Sequence, residues 1–193
     1  MKRKKAIFFL CLLAVLLGLI FYAPHYLAYS DRPKKVDAVV LLLGQDFKAR
    51  KKQSRFLINE GYSDYLIIPA YSRLYKASAK RTLLLTQTQR RKGKDKQVYQ
   101  LYEDTHLEIL HAKTIMDKYG FRSAIFVSSP YHMRRVKLIA DRVFEGKDRD
   151  LFFDPTRYEE MNNTLWWRTT YHLRWVIAEY FKIGWFLLYK PFI

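Results

Sequence analysis

The hydrophobic pattern opens with an apolar run from Ala6 to Ala23, directly after the basic start Lys2-Arg3-Lys4-Lys5. Eighteen residues at a helical rise reach about 27 Å, enough to cross a bilayer core. Leu27 and the aromatic residues Tyr22, Tyr26 and Tyr29 extend the run and suit its far interface. Beyond it the periodicity changes. Pro24 to Lys35 is polar and Pro-punctuated and reads as a stalk. Val36 to Leu43 is nearly all apolar, the pattern of a strand buried on both faces. Gly44-Gln45-Asp46 turns the chain. Phe47 to Glu60 then predicts a helix, with Ala49, Phe56 and Leu57 among its apolar positions and Gly61 as its stop. Tyr65 to Ile68 predicts a second strand, ended by Pro69. A strand-helix-strand unit of this length implies a parallel pair.

The next stretch is mixed. Ala77 to Gln87 reads as helical, and Arg90 to Lys96 as a basic, Gly-broken loop, either solvated or clamping an anion. Val98 to Tyr102 is a third strand candidate. Thr105 and Glu108 match a capping box at the start of a helix to Tyr119, with Leu107, Leu110 and Thr114 on one face and Gly120 as terminator. Ser123 to Val127 has the β-branched, apolar character of a central strand. Ser129-Pro130 then suits the N-cap and first position of a helix bearing Val136, Ile139, Ala140 and Val143 on one face. Leu151 to Phe153 predicts a fifth strand, closed by Asp154-Pro155. Strands alternating with helices predict an α/β fold with a doubly wound, mostly parallel sheet.

The segment 161–193 carries all four Trp residues and several basic ones. It reads as a C-terminal aromatic amphipathic helix, N-capped by Thr164, that packs on the domain and touches the bilayer. The organisation is then a basic tail (1–5), a transmembrane anchor (6–23), a stalk (24–35), an α/β domain (36–160) and a membrane-proximal helix (161–193). The anchor is longer than a signal-peptide core of ~7–15 residues and lacks a small-x-small cleavage site, which favours an uncleaved single-pass plasma-membrane span. The basic start places the N-terminus in the cytoplasm and the domain outside. Cys11 is the only cysteine, so no intrachain disulfide forms.

The net charge of +17 draws the chain to anionic surfaces or substrates. Membrane lipids are the expected partners. Nucleic acid fits the charge alone, but no nucleic-acid-binding motif is present and none is expected as a partner. In a doubly wound sheet, ligands sit beyond the C-terminal strand ends near the reversal of strand order. Those ends carry Gly44 to Arg50, Pro69 to Ser72, Asp104 to Glu108, and Ser128 to Arg135. His132 and Arg135 are three apart on one helix face, near a helix start that favours anions. Arg50 and Arg135 have the forked geometry for phosphate, with Gly44, Thr105, Ser128 and Ser129 as further ligand-binding candidates. His132 is the candidate proton shuttle and Glu108 a second acid or base. No GxSxG elbow surrounds the serines. His106 and His111, five apart, do not make a metal site, so no metal is expected and no cofactor is identified.

At VSSPYHMRR (Val127 to Arg135) the chain resembles the YdcF-like family, and most closely its membrane-anchored SanA and ElyC branch. Val36 to Gly44 is similar to that family's opening strand and turn. Arg50, Ser54, Leu57 and Gly61 reproduce its first-helix spacing, and Thr105, Glu108 and Ala112 its Thr-x-x-Glu helix start. The similarity covers about Val36 to Phe153. It implies a Rossmann-like fold and a role in the cell envelope, with a phosphate-bearing cell-wall or lipid-carrier intermediate as ligand. It also implies S-adenosylmethionine binding for YdcF itself, which conflicts with export. The family's glycine-rich turns are replaced here by Gly44-Gln45-Asp46 and Pro69-Ala70-Tyr71, which argues against a backbone phosphate cradle. The alternative is a non-catalytic anionic-ligand-binding or scaffold protein at the membrane surface.

Overall fold

Strand β1 (Ala38–Leu41) is buried along its whole length, as its unbroken apolar pattern requires of a strand covered on both faces. The computed structural model describes residues 2–44, 46–77, 82–87, 102–159 and 168–193. Around β1 lie β2 (Tyr65–Ile68), β3 (Arg73–Ala77), β4 (Thr82–Gln87), β5 (Ser123–Ser128) and β6 (Asp150–Pro155), in the spatial order β4-β3-β2-β1-β5-β6. β1 pairs in parallel with β2 (Val39 beside Leu66) and with β5 (Ala38 beside Ala124, Leu41 beside Val127), and β6 continues in parallel from β5. The chain thus leaves β1 on one side and returns on the other, so strand order reverses between β1 and β5.

Alternation along β1 divides the core into two layers. Val39 and Leu41 pack with Leu57 and Ile58 of helix α2 (Phe47–Asn59). Ala38 and Val40 face Ile109, Ala112 and Met116 of α3 (Asp104–Tyr119) and Val136, Ile139 and Ala140 of α4 (Met133–Val143). The two glycine stops behave as expected. Gly61 and Gly120 take φ of +78° and +70°, conformations that carry little strain only for glycine.

Several elements differ from the sequence reading. Of the stretch Ala77 to Gln87 read as helical, Ala77 ends β3 and Thr82–Gln87 is β4, while residues 78–81 lie outside the described residues. Pro69–Tyr71 forms a 3-10 turn, Ser72 takes a left-handed conformation, and the chain folds back as β3 antiparallel to β2, then β4 antiparallel to β3. The open edge of β3 offers a ladder of backbone donors and acceptors, and pairing with it outweighs the local helix preference of Leu83 to Leu85. The predicted Arg90–Lys96 loop and most of the Val98–Tyr102 strand lie outside the described residues; Tyr102 itself stacks on His106 at 4.3 Å. Helix α3 buries His106, Ile109, Ala112, Ile115 and Met116 rather than the face of Leu107, Leu110 and Thr114. Its polar member is satisfied, because His106 Nδ1 lies 3.0 Å from the Tyr189 hydroxyl. β6 runs through Asp154 and Pro155, since an edge strand needs no donor from a final proline.

Helix α1 (Lys2–Leu27) contains Ile7–Leu27, a segment long and apolar enough to cross a membrane and mostly exposed before its last turn. It continues through Pro24, and the expected stalk is docked on the domain. Leu27 is fully buried with Tyr131, Val176 and Ile183. The Asp31 amide donates to Phe153 O (2.8 Å), the Phe153 amide donates to Asp31 Oδ2 (3.2 Å), and the Tyr29 ring packs on Phe153. Helix α5 (Thr170–Tyr189) starts later than expected. Thr169 caps it by accepting from the His172 amide (3.4 Å), while Thr164, Trp166 and Trp167 lie outside the described residues. Its buried face is Val176, Glu179, Ile183, Phe186 and Tyr189, and Lys190–Phe192 follows as a 3-10 turn.

Candidate functional site

The reversal between β1 and β5 is closed by one buried arginine. Arg50, in the first turn of α2, reaches back over the strand ends. Its Nη1 donates to the carbonyls of Leu42 (3.3 Å) and Leu43, and its Nε and Nη2 donate to Ser129 Oγ (3.1 and 2.9 Å). The guanidinium therefore ties the C-terminal end of β1 to that of β5. Gly44 is a glycine for this reason: a Cβ there would fall on the Arg50 guanidinium. Glu108 comes to the same place, its Oε2 accepting from the Leu43 amide (3.1 Å). Ser128 and Ser129 are both buried at the strand end. Burial pushes the Glu159 carboxyl up, against a hydrogen bond from Ser129 that favours its ionised form.

Two expected caps are absent, for one reason: their side chains serve arginines or strand ends instead. Ser129 makes no side-chain cap. A 3-10 turn, Pro130–His132, leads into α4, with the His132 amide donating to Ser129 O (3.1 Å). The Thr105–Glu108 capping box does not form either. Glu103 occupies the N-cap position of α3, Thr105 Oγ1 accepts from Arg135 Nη1 (2.9 Å), and Glu108 bonds Leu43 as above.

Arg135 lies on the same helix face as His132, but it does not open onto a cleft. It is 3 % exposed and forks onto Glu179 of α5, with Nε to Oε2 at 2.8 Å and Nη2 to Oε1 at 3.1 Å. Its Nη1 meets Glu103 Oε2 at 2.5 Å. An anionic ligand expected on Arg135 would have to displace one of these carboxylates. The residue acts instead as a strut joining α4, α5 and the start of α3. Lys182 Nζ adds a second cation to Glu179 at 3.2 Å.

His132 Nδ1 is 2.8 Å from Glu179 Oε1. Arg135 Nη2 lies 3.4 Å from the same nitrogen, and a guanidinium has no acceptor to offer it. The Glu179 carboxylate does, so Nδ1 carries the proton and donates to Glu179, leaving Nε2 as an acceptor. Burial lowers the His132 pKa, and the charges of Arg135 and Arg50 add to this against Glu179. Burial disfavours the Glu179 anion, but His132 and Arg135 together hold its carboxyl well below the usual range. Burial raises the Glu103 carboxyl in opposition to Arg135. The result is an ionised Glu179 beside a neutral, oriented imidazole, whose ring meets Trp175 edge-on at 5.4 Å. This arrangement supports general acid–base chemistry at Nε2.

The structure thus gathers Gly44, Arg50, Glu108, Ser128 and Ser129 at the strand ends, and joins His132, Arg135 and Thr105 in an adjacent ion-pair network. Glu179, Glu103 and Glu159 were not anticipated. A signal existed for one of them: Glu179 is the only acidic residue between Thr164 and Ile193. A lone carboxylate in an apolar, basic helix calls for a buried cation. Among the described residues no cluster of three or more His, Cys, Asp or Glu side chains is arranged to hold a metal ion. No protein-family model, curated protein or solved structure matches the chain.

Proposed function

We propose that this chain is a cell-envelope protein of the YdcF-like type, with a Rossmann-like α/β domain held outside the cytoplasm by a single-pass plasma-membrane anchor whose N-terminus is cytoplasmic. The domain binds a phosphate-bearing cell-wall or lipid-carrier intermediate at the strand ends, and His132 Nε2 is the group that moves a proton there. One observation carries this reading. The last turn of α1 packs on the turn that bears His132, with Leu27 buried against Tyr131 and the Arg134 Nε donating to Tyr26 O at 2.8 Å. A site joined to the end of a membrane-spanning helix meets ligands at the headgroup level. The VSSPYHMRR resemblance and the charge of +17 support an anionic envelope ligand.

A second reading is non-catalytic anion binding or scaffolding at the membrane surface, and one specific observation favours its scaffold form. Both arginine forks already meet protein acceptors: Arg50 on Ser129 and the Leu42 and Leu43 carbonyls, Arg135 on Glu179, Glu103 and Thr105. The two readings separate when the full chain in phospholipid nanodiscs is incubated with lipid-linked monophosphate and diphosphate precursors and the mixture is read by mass spectrometry. A new product that is lost in His132→Ala establishes the catalytic reading. Saturable binding without product establishes non-catalytic binding, and neither binding nor product overturns both ligand-binding readings and leaves the scaffold.

A further inference from the structure

Helix α5 has two different surfaces. Val176, Ile183, Phe186 and Tyr189 are buried against the domain. At 100° per residue, Ile177, Phe181, Gly184, Trp185 and Leu188 fall within about 100° of one another on the outer side. Phe181 is 77 % exposed and Leu188 68 %, and Phe192, in the turn that follows, is 84 % exposed. From Ile177 to Leu188 that sector contains no charged residue; Arg174 precedes it, Lys182 flanks it and Lys190 follows it. Single exposed apolar side chains need no explanation, but a continuous stripe of this length does.

The neighbour of the stripe identifies what covers it. Tyr180, adjoining Phe181, donates its hydroxyl to Ala23 O at 3.0 Å and stacks on Tyr26 of α1. Val176 and Ile183, one turn away on either side, pack with Leu27. The stripe therefore begins beside the point where the apolar helix Ile7–Leu27 joins the domain. Aromatic side chains bordered by Arg and Lys, on a chain carrying +17, match an anionic lipid surface in both polarity and charge.

We infer that the outer face of α5, formed by Ile177, Phe181, Trp185 and Leu188 with Phe192, lies in the bilayer interface alongside α1 as a second membrane contact. Because the domain is docked on the end of α1, a single span would let the two tilt together relative to the bilayer. Two contacts, one crossing and one lying flat, hold the Pro130–His132 turn between α1 and α5 at a set height above the lipid. This inference rests on the reading of α1 as a membrane span.

The test places the photo-crosslinker benzoylphenylalanine, one site at a time, at Phe181, Leu188, Tyr119 and Leu10 in the full chain. Each variant is reconstituted in nanodiscs of phosphatidylethanolamine and phosphatidylglycerol. Leu10 reports the anchor, and Tyr119, at the end of α3 away from the strand-end site, is the solvent control. Lipid adducts at Phe181 and Leu188 at a level comparable with Leu10, and at least tenfold above Tyr119, are expected. Lipid adducts at Leu10 without any at Phe181 and Leu188 overturn the inference and leave the anchor standing. Chain-to-chain adducts at Phe181 and Leu188 in place of lipid overturn it in favour of a second copy. Adducts at Tyr119 equal to those at Phe181 overturn a defined face, and no lipid adduct at Leu10 overturns the anchor reading and the inference together.

Discussion

Arg135→Ala should act first on the stability of this protein. At the level of sequence, Arg135 is a phosphate-binding candidate, and its loss is expected to reduce affinity more than loss of Arg134. In the structure its side chain is 4 % exposed and its principal partner, the Glu179 side chain, is 0 % exposed. Removing the guanidinium leaves Glu179 with His132 and the half-exposed Lys182 as its remaining counter-groups. Breaking a buried pair by deleting one partner costs about 3–5 kcal/mol, because the other charge stays buried. For a chain of this size that is a fall of about 6–20 °C in melting temperature. Glu103 contributes less, since burial already raises its pKa and a proton can relieve it. Arg134 is the internal control. It donates to Tyr26 O and lies over the Tyr26 and Tyr29 rings at 4.5 and 4.7 Å, so Arg134→Ala should cost about 1–2 kcal/mol. Replacing the pair together, as Arg135→Met with Glu179→Leu, should recover most of the loss, because no uncompensated charge remains at Glu179. The assay is thermal and denaturant unfolding of the full chain in one detergent, followed by circular dichroism. An Arg135→Ala loss no larger than that of Arg134→Ala would refute the strut, as would a double variant less stable than Arg135→Ala alone.

Two further predictions test the site and its pH dependence. Gly44→Ala should cost about 1–3 kcal/mol by forcing the buried Arg50 guanidinium aside, and almost nothing in an Arg50→Ala background; a double-mutant cycle of unfolding free energies reads the coupling directly. Burial holds His106 at about 4, against 6.5 for the free side chain, so between those values the unfolded chain binds a proton that the folded chain does not. Stability should therefore fall as pH drops through that window; His106→Asn should flatten the part of the slope due to His106, leaving that of His132, and an unchanged slope in unfolding measured from pH 7 to 4 would exclude the assignment.

What local pattern determines is legible in the sequence itself. The apolar run of β1 and the turn at Gly61 required only the immediate neighbours, and so did the end of α3 at Gly120. The convergence of Gly44, Arg50 and Ser129 followed from strand order. Residues adjacent in sequence but separated by 100° on a helix were not legible in the same way. Trp185 and Phe186 have the same aromatic character, yet the first is 46 % exposed and the second fully buried, because only the packed domain decides which side of α5 is inside. Thr82–Gln87, within the stretch read as helical, became strand β4 because β3 had an open edge, a feature of the assembled sheet that no eleven-residue window contains. The same applies to the charges. That Arg50, Arg135 and His132 belong near one site could be read from strand order and helix spacing. That Arg135 is held by a carboxylate 44 residues later, and that this carboxylate sets the tautomer of His132, was decided only when α5 closed over α4. A buried ion takes whatever partner the fold brings within about 3 Å, and sequence distance does not enter that choice.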